Sequence, residues 1–178
     1  MNVKFIPNVV TDDYIDQLDK HLEGLDDFSW EIGFDDRVKK YFLAISPEGD
    51  PDLLEKSKII ISQAPNIKDW IFYPAKPPKQ WKLIFDILID GENVRFNASD
   101  WKYVLYRFPD GVYDVVIKIP NSYKPYEEYF DQIGMIAVSG ELGEAFVIEY
   151  INEIELVYEF EDSLRGSDFT TLKTKITS

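Results

Sequence analysis

The sequence contains no cysteine and a single histidine among its 178 residues. Without cysteine, the chain cannot form a disulfide framework, a thiolate metal site or a cysteine nucleophile. One histidine on its own does not complete any of the usual zinc ligand sets. We therefore predict no metal site and no cofactor. We interpret His21 as a surface or half-buried residue of a helix rather than as a catalytic group.

Long apolar runs are also missing. The apolar stretches, such as IIIS before Gln63, fall far short of the ~20 residues that span a bilayer. At the N-terminus no sustained apolar stretch follows a basic start, and Asp12 and Asp13 come early, so a signal peptide is not expected. We predict a cytoplasmic protein without a membrane partner, and a secreted protein without cysteine stays open as the alternative.

Common enzyme motifs are absent as well. The chain has no GxxxxGK[ST], GxGxxG or GxSxG sequence, and DGEN at 90–93 lacks the acid spacing of a calcium loop. The best enzyme candidates are Glu141 and Glu144, because an acid beside a glycine turn can face a cleft. The competing interpretation of this pair is a helix end followed by a turn, and we assign no catalytic residue.

The chain is strongly acidic, with a formal net charge of -14. Residues 1–69 carry a net charge of -7, residues 70–125 of +2 and residues 126–178 of -9. A field of this sign repels nucleic acid and anionic membranes, and it speeds the encounter with a basic protein. We expect no nucleic-acid partner, although solubility alone is the simpler explanation of the charge.

The first part of the chain alternates helical and hairpin patterns. Apolar residues at helical spacing after Thr11 predict a helix over residues 11–25. Two apolar-rich runs around a pair of aspartates predict a hairpin over residues 28–45. A second amphipathic pattern, which begins with Pro51, predicts a helix over residues 51–63.

Beyond residue 70 the period changes to two. Aromatic and β-branched runs separated by turn sequences predict antiparallel strands over residues 70–119, and Pro109-Asp110-Gly111 is the sharpest turn signal. A third helical pattern covers residues 125–139. A short C-terminal helix is expected after Ser167, whereas residues 141–151 fit neither period.

Helices and strands thus occur in blocks, without a repeated βαβ alternation. This order predicts a single α+β domain over residues 1–178, with a mostly antiparallel sheet and helices packed on one of its faces.

The sequence EIELVYEFE, residues 153–161, alternates acidic and apolar residues. On a strand the four acids share one face, where neighbouring acids stand about 7 Å apart and cannot chelate one ion together. The pattern predicts a half-buried strand over residues 153–161. Its acidic face is either only solvated or a docking surface for a basic partner, and its acids are Glu153, Glu155, Glu159 and Glu161.

The middle of the chain is rich in aromatic residues. Trp70 and Tyr73 precede a proline-rich and basic loop, AKPPK at residues 75–79, and Trp101 follows further downstream. Most such rings belong to a core, but exposed ones contribute strongly to protein interfaces. Stacking on nucleic-acid bases is a further alternative, which the net charge opposes.

Three short motifs occur in the order FLAISPEGD at 42–50, APNIKDWIFYPAKPP at 64–78 and GELGE at 140–144. In these motifs the chain resembles a group of uncharacterised bacterial cytoplasmic proteins, over about residues 40–157. The resemblance implies a bacterial, cytoplasmic source. It transfers no activity and no catalytic residue.

These observations lead to hypotheses of different classes. The first is a non-enzymatic binding protein, in its sharper form an inhibitor or immunity-type protein that binds a basic partner through the four glutamates, Trp70, Tyr73 and Trp101. The alternative is a small-molecule-binding domain or enzyme with a cleft near Trp70, Trp101 and Glu144. A plain assembly module is a third, and the oligomeric state is not predicted.

Overall fold

The structure, a computed structural model, describes most of the chain. The described residues are 28–161 and 165–176, together with Asp16, Gln17 and Lys20. The last three are helical and belong to the helix predicted over residues 11–25. The rest of that predicted helix, including His21, lies outside the described residues.

The sequence predicts one domain, and the structure distinguishes two compact units, residues 1–77 and 78–178. Both contain helices and strands, and most strand pairs are antiparallel, which confirms the predicted α+β class. In the described part of the chain, no helix is both long and apolar enough to cross a bilayer.

The first unit is built on a three-stranded sheet in the order β1-β2-β3. Its strands are β1 (Ser29–Asp35), β2 (Lys40–Ser46) and β3 (Trp70–Tyr73). β1 and β2 form the hairpin predicted over residues 28–45. β3 pairs parallel with β2, so the prediction of antiparallel strands over residues 70–119 is wrong for the first of them.

A helical connection accounts for this parallel pair. Helix α1 (Pro51–Ser62) joins β2 to β3 and confirms the helix predicted over residues 51–63. The Asp50 carboxylate caps it by accepting hydrogen bonds from the backbone N–H groups of Asp52 and Leu53, at 2.7 and 3.0 Å. The helix returns the chain to the end of the sheet where β2 began, so β3 runs in the same direction as β2.

A buried carboxylate is held at the end of β1. The Asp35 side chain is 2% exposed and accepts hydrogen bonds from the Arg37 guanidinium at 2.9 and 2.6 Å and from the Tyr73 hydroxyl at 2.9 Å. The hydrogen bonds from Arg37 hold the pKa of Asp35 well below its usual value, although burial acts in the opposite direction. Ionised Asp35 therefore stabilises the first unit at neutral pH.

The second unit contains two sheets. In the smaller one, β4 (Ile84–Ile89) and β5 (Glu92–Asn97) form a hairpin that turns at Asp90 and Gly91, both of which have positive φ. The larger sheet has the strand order β8-β7-β6-β9. Its strands are β6 (Lys102–Arg107), β7 (Tyr113–Lys118), β8 (Ile151–Val157) and β9 (Ser167–Asp168).

The pairing of β7 explains where its neighbours begin and end. β6 and β7 are antiparallel and joined by the predicted turn at residues 109–111. β8 is parallel to β7, and the strand predicted over residues 153–161 is displaced to 151–157. It ends at Val157 because β7 has ended by then: the last hydrogen bond of this ladder runs from the Ile119 N–H to the Val157 carbonyl, at 2.9 Å.

Helices fill the connection between β7 and β8. They are a 3₁₀ helix (Asn121–Tyr129), α2 (Phe130–Leu142) and α3 (Glu144–Tyr150). The α-helix predicted over residues 125–139 begins later than expected, because Pro125 lacks an N–H group and Tyr126 has non-helical backbone angles. Residues 141–151, which fit neither period in sequence, are mostly helical.

The predicted short C-terminal helix is present as α4 (Leu172–Ile176). Ser167, after which the helix was expected, belongs to β9, and a 3₁₀ helix (Phe169–Thr171) leads into α4.

Helix α2 covers one face of the larger sheet. At Gly134 an added Cβ would lie 2.9 Å from Cγ2 of Ile154, so glycine permits the close approach. Val115 pairs with Ile154 and Ile117 with Leu156, and both β7 residues are completely buried. Because paired residues share a face, the core lies between α2 and this side of the sheet. On the larger sheet, α2 therefore packs on one face, in agreement with the prediction.

Replacing the buried carboxylate at the end of β1 tests its contribution to stability. We expect Asp35→Asn to lower the free energy of unfolding by about 2–4 kcal/mol at pH 7, because Arg37 and Tyr73 lose a charged acceptor. The pKa of Asp35 is depressed on folding, so this difference should shrink as the pH falls below about 4. Urea unfolding at pH 7 and pH 3 measures both effects.

The neighbouring Asp36 provides the control, since its side chain is 63% exposed and forms a surface ion pair with Lys39. Asp36→Asn should change stability by less than about 1 kcal/mol. Equal losses in the two variants would contradict a special role for Asp35.

Candidate functional site

The predicted site residues are divided between the two units. Trp70 and Tyr73 belong to the first unit, whereas Trp101 and the six glutamates belong to the second. Trp101 is 1% exposed and packs against the rings of Phe85, Tyr123 and Phe169. As a core residue it cannot contact a partner on the surface of this structure, so its predicted binding role is corrected.

Trp70 and Tyr73 lie on opposite faces of the first sheet, because they are three positions apart on one strand. Trp70 ends a row of rings that crosses the sheet through Tyr41 to Phe34, with centroid distances of 5.7 and 5.2 Å. Tyr73 is turned towards Asp35, to which its hydroxyl is bonded. Their role in partner binding stays a prediction.

Of the two acids of GELGE, Glu141 is hydrogen-bonded to a tryptophan and Glu144 is buried. Glu141 accepts a hydrogen bond from the Trp81 indole N–H at 2.8 Å, and the Gly140 carbonyl accepts one from the Lys79 N–H at 2.7 Å. An added Cβ at Gly140 would lie 2.3 Å from the Trp81 ring. Glu144 is 8% exposed. The segment after the prolines thus packs closely on this turn.

This packing matches the interpretation of Glu141 as part of a helix end followed by a turn. α2 ends at Leu142, and Gly143 follows with a φ of 88°. In residues 28–161 and 165–176, no group of three His, Asp or Glu side chains is arranged to hold a metal ion.

The acidic stretch forms the edge of the larger sheet. β8 is the outermost strand of the order β8-β7-β6-β9. Glu153 and Glu155 are exposed, whereas Ile154 and Leu156 are half-buried and face α2. We call Glu153 and Glu155, together with Glu159 and Glu161 just beyond the strand, the acidic edge. All four side chains are exposed, as the alternation in the sequence predicts.

The acidic edge borders the sheet face that α2 leaves free, which we call the open face. Cross-strand register places Asp114 of β7 beside Glu153 and Val116 of β7 beside Glu155. On the next strand, Val104 of β6 pairs with Val116. The residues of the open face that matter here are Val104, Val116, Val157, Asp114, Glu153 and Glu155. The three valines are half-buried. The open face therefore combines an apolar middle with an acidic border.

Two lysines partly neutralise this surface at its far end. Lys118 forms an ion pair with Glu159 at 2.5 Å, and Lys102 forms one with Asp168 at 3.2 Å. Among the described residues, no ion pair involves Glu153 or Glu155. The negative potential should therefore be strongest along β8 itself.

The residues just beyond β8 fold back onto the second unit. Phe160 packs against Gly166, where an added Cβ would lie 2.4 Å from its ring. The Tyr158 hydroxyl donates to the Glu127 carboxylate at 2.7 Å, and its ring meets Phe130 at a centroid distance of 5.9 Å. Desolvation, with the bond to Glu127 and the charge of that carboxylate, raises the pKa of Tyr158 to about 12.

The sequence did not identify the apolar middle of the open face. Val104 and Val116 occur in strands that were predicted, but the side of the sheet they face depends on which strands pair and on where the helix packs. The alternation of residues in β6 and β7 shows which residues share a face. Without the strand register it does not show which of the two faces is covered by helix α2.

Comparisons with protein-family models, with curated proteins and with solved structures find no match. The resemblance to bacterial cytoplasmic proteins stays an expectation. The acidic edge and the open face are therefore the features of this chain that bear on its function.

The phenol of Tyr158 provides a test of the contact that fixes the end of the acidic edge. Its raised pKa, which desolvation and then the bond to Glu127 cause, means that the neutral phenol stabilises the fold below pH 10 and that this stabilisation is lost as the pH rises through about 12. Glu127→Gln removes the negative charge, so the pKa of Tyr158 should fall towards its ordinary value near 10. The ¹³Cζ chemical shift of Tyr158 measured against pH reports the change.

The adjacent exposed acid, Glu128, is the matched control. Glu128→Gln should leave the Tyr158 titration where it is. An unchanged titration in Glu127→Gln would show that the Tyr158–Glu127 contact does not form in solution.

Proposed function

We propose that this protein is a non-enzymatic binding protein that captures a basic protein partner through the acidic edge. The observation that carries the proposal is the exposure of Glu153 and Glu155 on an outer strand, beside an open face with an apolar middle. Interfaces of moderate size commonly combine an apolar centre with a polar border. Here the border is acidic, so the complementary surface is basic.

Electrostatics supports this choice of partner in two ways. Residues 126–178 carry a net charge of -9, which attracts a cationic protein over a distance of about 10 Å at 0.1 M salt. At contact, Glu153 and Glu155 have no ion pair to give up among the described residues. Cationic side chains of a partner would therefore gain an interaction without breaking an existing one.

The apolar middle supplies the contact area that charge alone does not. Val104 and Val116 are half-buried, and Tyr106, which lies on β6 with Val104, is 42% exposed. Removing such side chains from water stabilises a complex by about 25 cal/mol per Å² before the costs of association. Tyrosine is also enriched among the residues that contribute most to binding.

In its sharper form, the proposal is that the protein acts as an inhibitor or immunity-type protein. Enzymes and toxins that act on nucleic acids carry basic surfaces, because phosphate contacts dominate their affinity. An acidic sheet that covers such a surface would exclude the substrate by competition. A bacterial, cytoplasmic setting belongs to the same proposal and rests on the resemblance of the three short motifs.

The alternative of an enzyme or ligand-binding cleft has less support. Of its three residues, Trp70 belongs to the first unit, while Trp101 and Glu144 of the second unit are both buried. No observation on these residues favours a cleft, so we retain the binding protein as the proposed function.

Charge reversal on β8 tests the proposal. Wild-type protein and the double variant Glu153→Lys/Glu155→Lys are used to purify partners from a lysate of the source organism, and the affinity of each purified partner is then measured by calorimetry. We expect a basic protein that binds wild type and binds the double variant at least about tenfold more weakly, because two attractive pairs become repulsive.

A matched control changes the same charge elsewhere in the second unit. Glu92 on β5 and Glu128 before α2 are exposed, and Glu92→Lys/Glu128→Lys should bind almost as tightly as wild type. Recovery of no basic partner, or equal weakening by both double variants, would refute capture through the acidic edge.

A further inference from the structure

We propose that the partner contributes an extended basic segment, which adds to β8 as a new outer strand of the larger sheet. This inference rests on the proposed function and specifies how the partner is recognised. It follows from the backbone of β8 rather than from the acids alone. β8 pairs with β7 on one side, and on its other side no strand of the described residues pairs with it.

The direction of the β8 backbone groups can be assigned residue by residue. The Val157 carbonyl accepts from the Ile119 N–H, so Val157 faces β7. Along a strand, alternate residues direct their N–H and C=O groups to the same side. Glu155 therefore also bonds towards β7, whereas Ile154 and Leu156 direct their N–H and C=O groups outward. In the described part of the chain, no backbone hydrogen bond outside the ladders reaches Ile154 or Leu156.

An outer strand with free N–H and C=O groups is a template for another strand. A second copy of this chain is disfavoured as the occupant, because pairing two β8 strands would place Glu153 and Glu155 beside the same acids of the other copy. Like charges directly opposite each other on paired strands are destabilising. The same acids attract lysine or arginine on an incoming strand, so charge selects a basic segment.

The two sides of β8 further define the segment. On the open face its neighbours are Glu153 and Glu155, which suit basic side chains at alternate positions. On the other side its neighbours are Ile154 and Leu156, which are only half-buried and suit apolar side chains. An added strand lies about 4.8 Å from β8, so its side chains stand directly beside these residues. The partner segment therefore alternates basic and apolar residues over about five or six positions.

A synthetic peptide provides the probe. A peptide of about eight residues that alternates lysine and valine has this pattern and the length of a strand. Amide hydrogen exchange of the ¹⁵N-labelled full chain is followed by NMR with and without the peptide. In the free protein, we expect the amides of Glu155 and Val157 to be protected and those of Ile154 and Leu156 to exchange quickly. With the peptide, the amides of Ile154 and Leu156 should exchange at least about tenfold more slowly.

Two further reagents separate the inference from the function on which it rests. An analogue whose backbone amides are N-methylated keeps the positive charges but cannot donate ladder hydrogen bonds, so it should bind at least about tenfold more weakly and leave exchange at Ile154 and Leu156 unchanged. The Glu153→Lys/Glu155→Lys variant should also bind the parent peptide at least about tenfold more weakly.

The outcomes are distinct. Strand addition is overturned if the methylated analogue binds as tightly as its parent, or if the parent peptide binds without slowing exchange at Ile154 and Leu156; capture by charge then still stands. Capture by charge is overturned if the double variant binds the parent peptide as tightly as wild type. Concentration-dependent protection of Ile154 and Leu156 in the absence of peptide would show that a second copy occupies β8 and would also overturn the inference.

Discussion

The parallel pairing of β7 with β8 is the constraint on which the rest of the second unit depends. Two parallel strands cannot be joined by a tight turn, so the chain must cross over between them. Residues 119–150 make this crossover and contain α2, which packs on Ile154 across Gly134. One face of the sheet is thereby buried and the other is left open. β8, the last strand added on this side, becomes the outer strand that carries the acids.

The acids on β8 influence which strands can pair with it, in addition to favouring solubility. An outer strand invites pairing, and charged side chains are a common protection against pairing with identical strands. Glu153 and Glu155 are on the strand itself, whereas Glu159 beyond it is paired with Lys118. The charges therefore disfavour pairing of β8 with the β8 strand of a second copy, whereas they attract a strand that carries basic side chains. In the proposed function, the same side chains oppose aggregation and select a basic partner.

Much of the fold follows from local chemistry that the sequence displays. The turn at residues 109–111 and the exposure pattern of EIELVYEFE depend on adjacent residues, and the structure has both as expected. The parallel direction of β3 and β8 and the burial of Trp101 depend on residues far apart in the chain. Local sequence patterns do not specify such long-range contacts. For this reason the docking role predicted for Trp101, which is buried, was wrong, and the apolar middle of the open face was not predicted.

In the proposed function, the charges of Glu153 and Glu155 govern the binding of a basic partner. The decisive measurement is the dissociation constant of the partner complex as a function of salt, compared between wild type and Glu153→Gln/Glu155→Gln. We expect the wild-type affinity to fall steeply between about 0.05 and 0.5 M salt, where the Debye length shrinks to a few ångströms, and the neutral variant to show a clearly shallower dependence. Identical salt dependences in the two proteins would contradict the proposed function.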